Sequence, residues 1–143
     1  MIAAFNIRLA KETEDLALEP ETICRGVEAL FEDPSRGLYF VAESPETAEV
    51  AGQIMITYEW SDWRNGNIWW IQSVYVKPEF RGRGVFGALF EHVQELARAR
   101  PGVCTLRLYM DKHNERARKA YGKAGLRETN YQVFELDLSQ PGG

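Results

Sequence analysis

The chain has 143 residues, 45% of them hydrophobic, which is apolar material for the core of one domain and too little length for a second full one. Its 17 Lys and Arg against 21 Asp and Glu leave a net charge of -4, which argues against a protein held to nucleic acid by neutralising phosphates. Cys24 and Cys104 stand far apart and outside any C-x-x-C spacing, so neither a disulfide framework nor a zinc site is encoded; both read as buried, reduced thiols, and no metal site is expected.

Met1 to Arg8 lacks a charged region followed by an apolar signal core, and no apolar run approaches the ~20 residues that span a bilayer, so the expected address is cytoplasmic, with no membrane partner. Phe5 to Ala10 alternates as a first strand. Pro20 to Phe31 carries Ile23, Val27, Leu30 and Phe31 at helical spacing. After the turn cluster Asp33-Pro34-Ser35-Arg36-Gly37, two strands, Leu38 to Glu43 and Val50 to Trp60, flank the polar stretch Ser44 to Glu49 as an antiparallel hairpin. Asn65-Gly66 supplies the next turn, and Ile68 to Val76 is so continuously apolar that it reads as a central strand. Past Pro78 the period becomes helical, with Val85, Leu89, Val93 and Leu96 on one face, until Arg100-Pro101-Gly102. Val103 to Met110 follows as a strand. Asn114 to Ala124 is a short helix with Ala117, Tyr121 and Ala124 on one face, stopped by Gly125. Tyr131 to Leu138 reads as a last strand before a frayed tail over 138–143.

The stretch Arg81-Gly82-Arg83-Gly84-Val85-Phe86-Gly87 lies between a strand and a helix. There, unpaired backbone N–H groups and the positive end of the helix dipole meet in one space suited to a pyrophosphate. Glycines let the backbone approach the phosphates, and Arg81 and Arg83 can add charge from the side. An ordinary turn opening a helix is the plain alternative. Gly82-x-Gly84-x-x-Gly87 also matches the dinucleotide fingerprint, with Asp111 after a later strand. That fingerprint belongs in the first of several parallel strand–helix repeats, whereas here antiparallel strands precede it and too little chain follows. The nucleoside triphosphate loop fails for want of a Gly-Lys-Ser/Thr.

The glycine loop resembles that of the GNAT superfamily of N-acetyltransferases, Arg/Gln-x-x-Gly-x-Gly/Ala after a central strand, with Phe86 at the usual Gly/Ala position and Gly87 next. Asn114-x-x-Ala117-x-x-Ala120-Tyr121-x-x-x-Gly125-Leu126 is similar to a later helix of the family. The resemblance implies an α/β (α+β) fold in one domain over residues 1–143, with a mixed, mostly antiparallel sheet, flanking helices and a splayed central pair of strands. It implies an enzyme, an acyltransferase using acetyl-CoA. Backbone groups of Val74, Tyr75 and Val76 would bond the pantetheine arm, the loop from Arg81 through Gly82, Arg83, Gly84, Val85 and Phe86 to Gly87 would hold the pyrophosphate, and Asn114 would lie near the cofactor. The acceptor would be a primary amine attacking directly in a ternary complex, and homodimers are frequent in the family.

Amine acylation needs a donor for the developing oxyanion and a proton for the departing thiolate. The resemblance gives the second role to Tyr121, which otherwise reads as a core tyrosine; a bulge near Val74 to Val76 would free a backbone N–H for the first. Glu59, at the end of the strand beside the central one, is the candidate base, and equally a solvent-facing strand residue. Gln72 stands where some polyamine-type members carry a carboxylate, and is read as orienting substrate. Tyr58 to Arg64 with Trp69-Trp70 gathers aromatic and acidic groups that either bind a small cationic amine or pack. A protein N-terminus or lysine is the other acceptor class, and a non-catalytic acyl-CoA sensor the other kind of protein.

Overall fold

The computed structural model describes residues 1–139. Among them, α1 (Ile2–Glu14), α2 (Pro20–Glu32), β1 (Gly37–Glu43), β2 (Val50–Ser61), β3 (Gly66–Val76), α3 (Val85–Ala99), β4 (Val103–Arg107) and α4 (Glu115–Lys123) follow in order, with a 3-10 turn at Pro78–Phe80 between β3 and α3. The strands form one sheet in the order β1-β2-β3-β4, antiparallel in the first two pairings and parallel between β3 and β4. This is the expected mixed sheet, with β3 inside it.

Pro20 presets the first helical turn of α2, and the Glu19 carboxylate accepts hydrogen bonds from the Glu21 and Thr22 amides at 3.0 and 2.7 Å, satisfying two orphan donors. The β2–β3 turn closes through Asn65, whose φ of 46° is left-handed, a conformation asparagine tolerates better than most residues. α3 is the crossover between the parallel strands β3 and β4. Its apolar stripe, Leu89, Phe90, Val93 and Ala97, packs on Ile54, Ile56, Trp69 and Ile71 of the sheet. Each such side chain contributes about 1.5–3 kcal/mol on full burial. On the opposite face, α1 sets Phe5 against the Tyr75 ring at 5.2 Å.

Four expectations are corrected. Phe5 to Ala10 is part of α1 and not a strand: six alternating residues cannot separate a period of two from one of 3.6, whereas Ile2, Phe5, Asn6, Leu9 and Ala10 all turn inward at helical spacing. β4 ends at Arg107 and not at Met110, because its partner β3 diverges after Trp70. Tyr131 to Leu138 forms no strand and pairs with none among the described residues, with Phe134, Leu136 and Leu138 exposed. Both cysteines are exposed: Cys24 lies on the outer side of α2 and Cys104 on β4 at the sheet edge. Of the tail, residues 140–143 lie outside the described residues.

Candidate active site

The site begins where two strands part. β3 and β4 are paired only from Asn67 opposite Val103 to Trp70 opposite Arg107, so from Ile71 onward the β3 edge facing β4 has no strand partner. The gap is a cleft of about 270 Å³ lined by Ile71 to Val74 on one side and Leu108 to Asp111 on the other. Asn114, Ala117 and Tyr121 close it from α4, and Leu9, Thr13 and Glu14 from α1.

Within the cleft wall, β3 carries a bulge. Gln53 stands opposite Tyr75 and Met55 opposite Gln72, so Ser73 and Val74 together face Ile54. Ser73 is left-handed at φ 51°, a costly conformation for a residue with a Cβ. A buried hydrogen-bond chain supports it: the Gln53 Nε2 donates to the Ser73 carbonyl at 3.0 Å and to Asn6 Oδ1 at 2.7 Å, and Asn6 Nδ2 donates to the Tyr39 hydroxyl at 3.2 Å. Gln53 is fully buried and its Oε1 has no partner among the described residues, so the bulge is held at the cost of an unsatisfied acceptor.

The glycine loop follows the end of β3. Gly82 and Gly84 have φ of 77° and 79°, and Gly84 caps α3 without a side chain, leaving the first-turn amides of Val85, Phe86 and Gly87 free of intrahelical acceptors. A Cβ built on Gly82, Gly84 or Gly87 would meet nothing within 4 Å. The loop therefore presents amides to open space, which fits a pyrophosphate. Arg81 is engaged elsewhere: its Nε donates to the Val76 carbonyl at 2.9 Å and its guanidinium pairs with Glu12 of α1 at 2.6 Å. Glu12 also accepts from the Tyr75 hydroxyl at 3.1 Å, so α1, β3 and the loop are braced at one carboxylate. Arg83 stacks over Phe80 at 5.7 Å.

Tyr121 is partly buried in the cleft wall, and burial pushes its phenol above the usual tyrosine value, so it stays protonated through neutral pH. Its ring meets Phe86 edge-on at 5.5 Å, and Phe86 stacks on Phe90 at 5.8 Å. The unusual aromatic in the loop thus ties the start of α3 to the tyrosine of α4. Asn114 caps α4, its Oδ1 accepting from the Ala117 amide at 3.0 Å.

Val74, Asn114 and Tyr121 thus share the cleft, with the loop joined to them through Phe86. Glu59 is not in its lining. The Glu59 carboxylate accepts from Trp70 Nε1 at 3.0 Å and lies 4.0 Å from Arg107, whose guanidinium sits over the Trp70 and Tyr131 rings at 5.6 and 5.5 Å. Gln72 lines the cleft and donates to the Thr57 hydroxyl at 2.6 Å. Sequence reasoning missed the α1 wall, which the helical spacing from Ile2 onward would have revealed, and the Gln53–Ser73 support, for which a polar residue in an apolar strand was the one available signal.

Residues 4–126 match the family model of the acetyltransferase (GNAT) family. Thialysine N-epsilon-acetyltransferase of Bos taurus is 32% identical over 84 residues, covering 59% of this chain and 48% of that protein, so the chain spans about half the length of the curated relatives it matches. Among solved structures, a possible acetyltransferase of Clostridium difficile 630 superposes with a TM-score of 0.88 at 41% identity, over 97% of this chain and 90% of the other. A predicted acetyltransferase of Clostridium acetobutylicum solved with acetyl-CoA shares the fold at a TM-score of 0.76 and 18% identity, over 96% of this chain and 88% of the other. With its splayed strands, amide-rich loop and matched motifs, the chain belongs to the acetyltransferase (GNAT) family.

Proposed function

We propose that this single domain transfers the acetyl group of acetyl-CoA to a primary amine of a small metabolite in the cytoplasm, by direct attack in a ternary complex. The observation that carries this reading is the continuity of an open β3 edge with a loop of free amides, walled by a protonated tyrosine.

The edge of β3 at Val74, Tyr75 and Val76 has no strand partner on the β4 side and suits the amides of a pantetheine arm, which would lie beside it as an added strand, although the Val76 carbonyl already accepts from Arg81. The amides from Gly82 to Gly87 would take the pyrophosphate, with Arg83 adding charge and Arg81 bracing the loop through Val76 and Glu12. Acetyl-CoA supplies the thioester. A backbone N–H of the bulge near Val74 donates to the carbonyl oxygen as the amine attacks, and Tyr121 gives its proton to the departing sulfur, regaining one from solvent. Proton loss from the incoming ammonium falls to water in the cleft or to Glu59 through it.

The relatives' name concerns the side-chain amine of a small amino-acid analogue. That agrees with Glu59, Trp70, Arg107 and Tyr109, which gather a carboxylate, a guanidinium and two rings 5.8 Å apart. Free-thiol release from acetyl-CoA, measured across lysine, thialysine, polyamines, aminoglycosides and peptides, checks the choice. Turnover with the small amines is expected; turnover with peptides alone would overturn it.

A further inference from the structure

Gln53 is fully buried on β2, beside Ile54 of the apolar core. Both protons of its Nε2 are used, one on the Ser73 carbonyl at 3.0 Å and the other on Asn6 Oδ1 at 2.7 Å. A carbonyl only accepts, so the nitrogen must face Ser73, and Oε1 is left without a partner among the described residues. An apolar side chain at this position would leave no orphan acceptor, so packing alone does not account for Gln53.

What the amide holds is a peptide plane. The Ser73–Val74 peptide is trans, so its C=O and N–H point in opposite directions. With the carbonyl drawn to Gln53, the Val74 N–H is turned away from β2. On that other side β3 has lost its strand partner, and Ser73 and Val74 line the cleft. The two residues share the bulge opposite Ile54, so the ladder by itself does not fix this plane. Ser73 also stands at φ 51°, where glycine is the usual occupant, and its orientation needs an outside hold.

We propose, resting on the acetyl-transfer reading above, that Gln53 is a positioning residue: through the Ser73 carbonyl it keeps the Val74 N–H aimed into the cleft at the thioester carbonyl oxygen. Gln53 itself touches no substrate. With the plane turned over, the Ser73 carbonyl would meet that oxygen in place of a donor. Asn6 of α1 and Tyr39 of β1 hold the amide from behind, Asn6 Nδ2 donating to the Tyr39 hydroxyl at 3.2 Å, so the first helix is tied to the reacting end of the cleft.

Amide-proton NMR of the wild-type chain tests the geometry without turnover. Acetyl-CoA is expected to move the Val74 amide proton downfield relative to CoA lacking the acetyl group. Gln53→Met keeps the length of the side chain and removes both donors. It is expected to lower kcat at least about 10-fold with the Kd for acetyl-CoA within about twofold, and to abolish the acetyl-dependent Val74 shift. Gln53→Glu donates only while its carboxyl is protonated. It is expected to exceed Gln53→Met in kcat, increasingly so as pH falls, each measured against the wild type at the same pH. A Val74 amide that answers CoA and acetyl-CoA alike would overturn the proposal, and this measurement decides even where a variant does not fold. Unchanged kcat in Gln53→Met, a loss confined to acetyl-CoA affinity, or a Gln53→Glu chain no better than Gln53→Met at any pH would overturn it too. An acetyl-specific Val74 shift in a wild-type chain that acetylates no amine would support the hold and overturn the amine reading instead.

Discussion

Tyr121 reaches the cleft with its phenol held neutral by burial and with no competing hydrogen bond among the described residues. Tyr121→Phe is therefore expected to lower kcat by about 100-fold or more while the Kd for acetyl-CoA stays within about twofold. Steady-state kinetics beside calorimetric titration separates the two, and unchanged kcat would remove Tyr121 from the acid role. Gly84→Asp tests the other end of the site. Open space surrounds Gly84, so the new carboxylate does not clash, but it combines a left-handed strain with a negative charge where phosphates would sit. Loss of acetyl-CoA binding by at least about 10-fold, with the fold retained by circular dichroism, is the expected result; retained affinity would count against the loop. The positions of both residues beside one cleft and loop were legible in the sequence, because glycines at fixed offsets and a tyrosine in a spaced motif are features of residue identity and order. Ser73 was not: its left-handed backbone is imposed by Gln53 and Asn6, which lie 20 and 67 positions away along the chain.

Among the elements, α3 and α4 depend on each other through Phe86. The ring stacks on Phe90 within α3 and meets Tyr121 across the gap, so the helix that follows the glycine loop also holds Tyr121 in place. Phe86→Ala is expected to cost about 2 kcal/mol of stability, less than the roughly 3–5 kcal/mol of truncating a buried aromatic because the ring is half-buried, and to lower kcat more than it weakens acetyl-CoA binding. Urea unfolding gives the first quantity and the kcat against KM split the second. A larger loss in acetyl-CoA affinity than in kcat would mean that Phe86 serves the loop and not Tyr121. The helices α2 and α3 and the strands β1 to β3 were readable because each has a long period or clear turn chemistry at its ends. α1 failed because the window chosen was shorter than two helical turns, and β4 was read too long because apolar character continues through Leu108 after its partner has left.

Across the molecule, Tyr58, Tyr75 and Tyr121 all have phenols raised above the usual value, chiefly by burial, with the Glu12 carboxylate adding to the shift at Tyr75. Unfolding releases each to its ordinary value of about 10. Between that value and the folded one the unfolded chain binds fewer protons, so stability is full below about pH 10 and falls as pH rises beyond it. Urea midpoints measured from pH 7 to 11 are expected to stay level on this account up to about 10 and then drop; a constant midpoint to pH 11 would contradict the burial of these rings.

The sequence by itself determined the family, since the glycine spacing and the motif from Asn114 to Leu126 are properties of residue identity and order. It also determined the mixed sheet, because a hairpin needs a short turn and a parallel pair needs a crossover helix. Tertiary structure alone decided the cleft, whose width comes from two strands ceasing to pair at Trp70 and Arg107. It decided the placement of Glu59 beside Arg107 and outside the cleft lining. The fate of Tyr131 to Leu138 was likewise beyond the sequence: alternation shows that a segment can be a strand, but only an available edge makes it one.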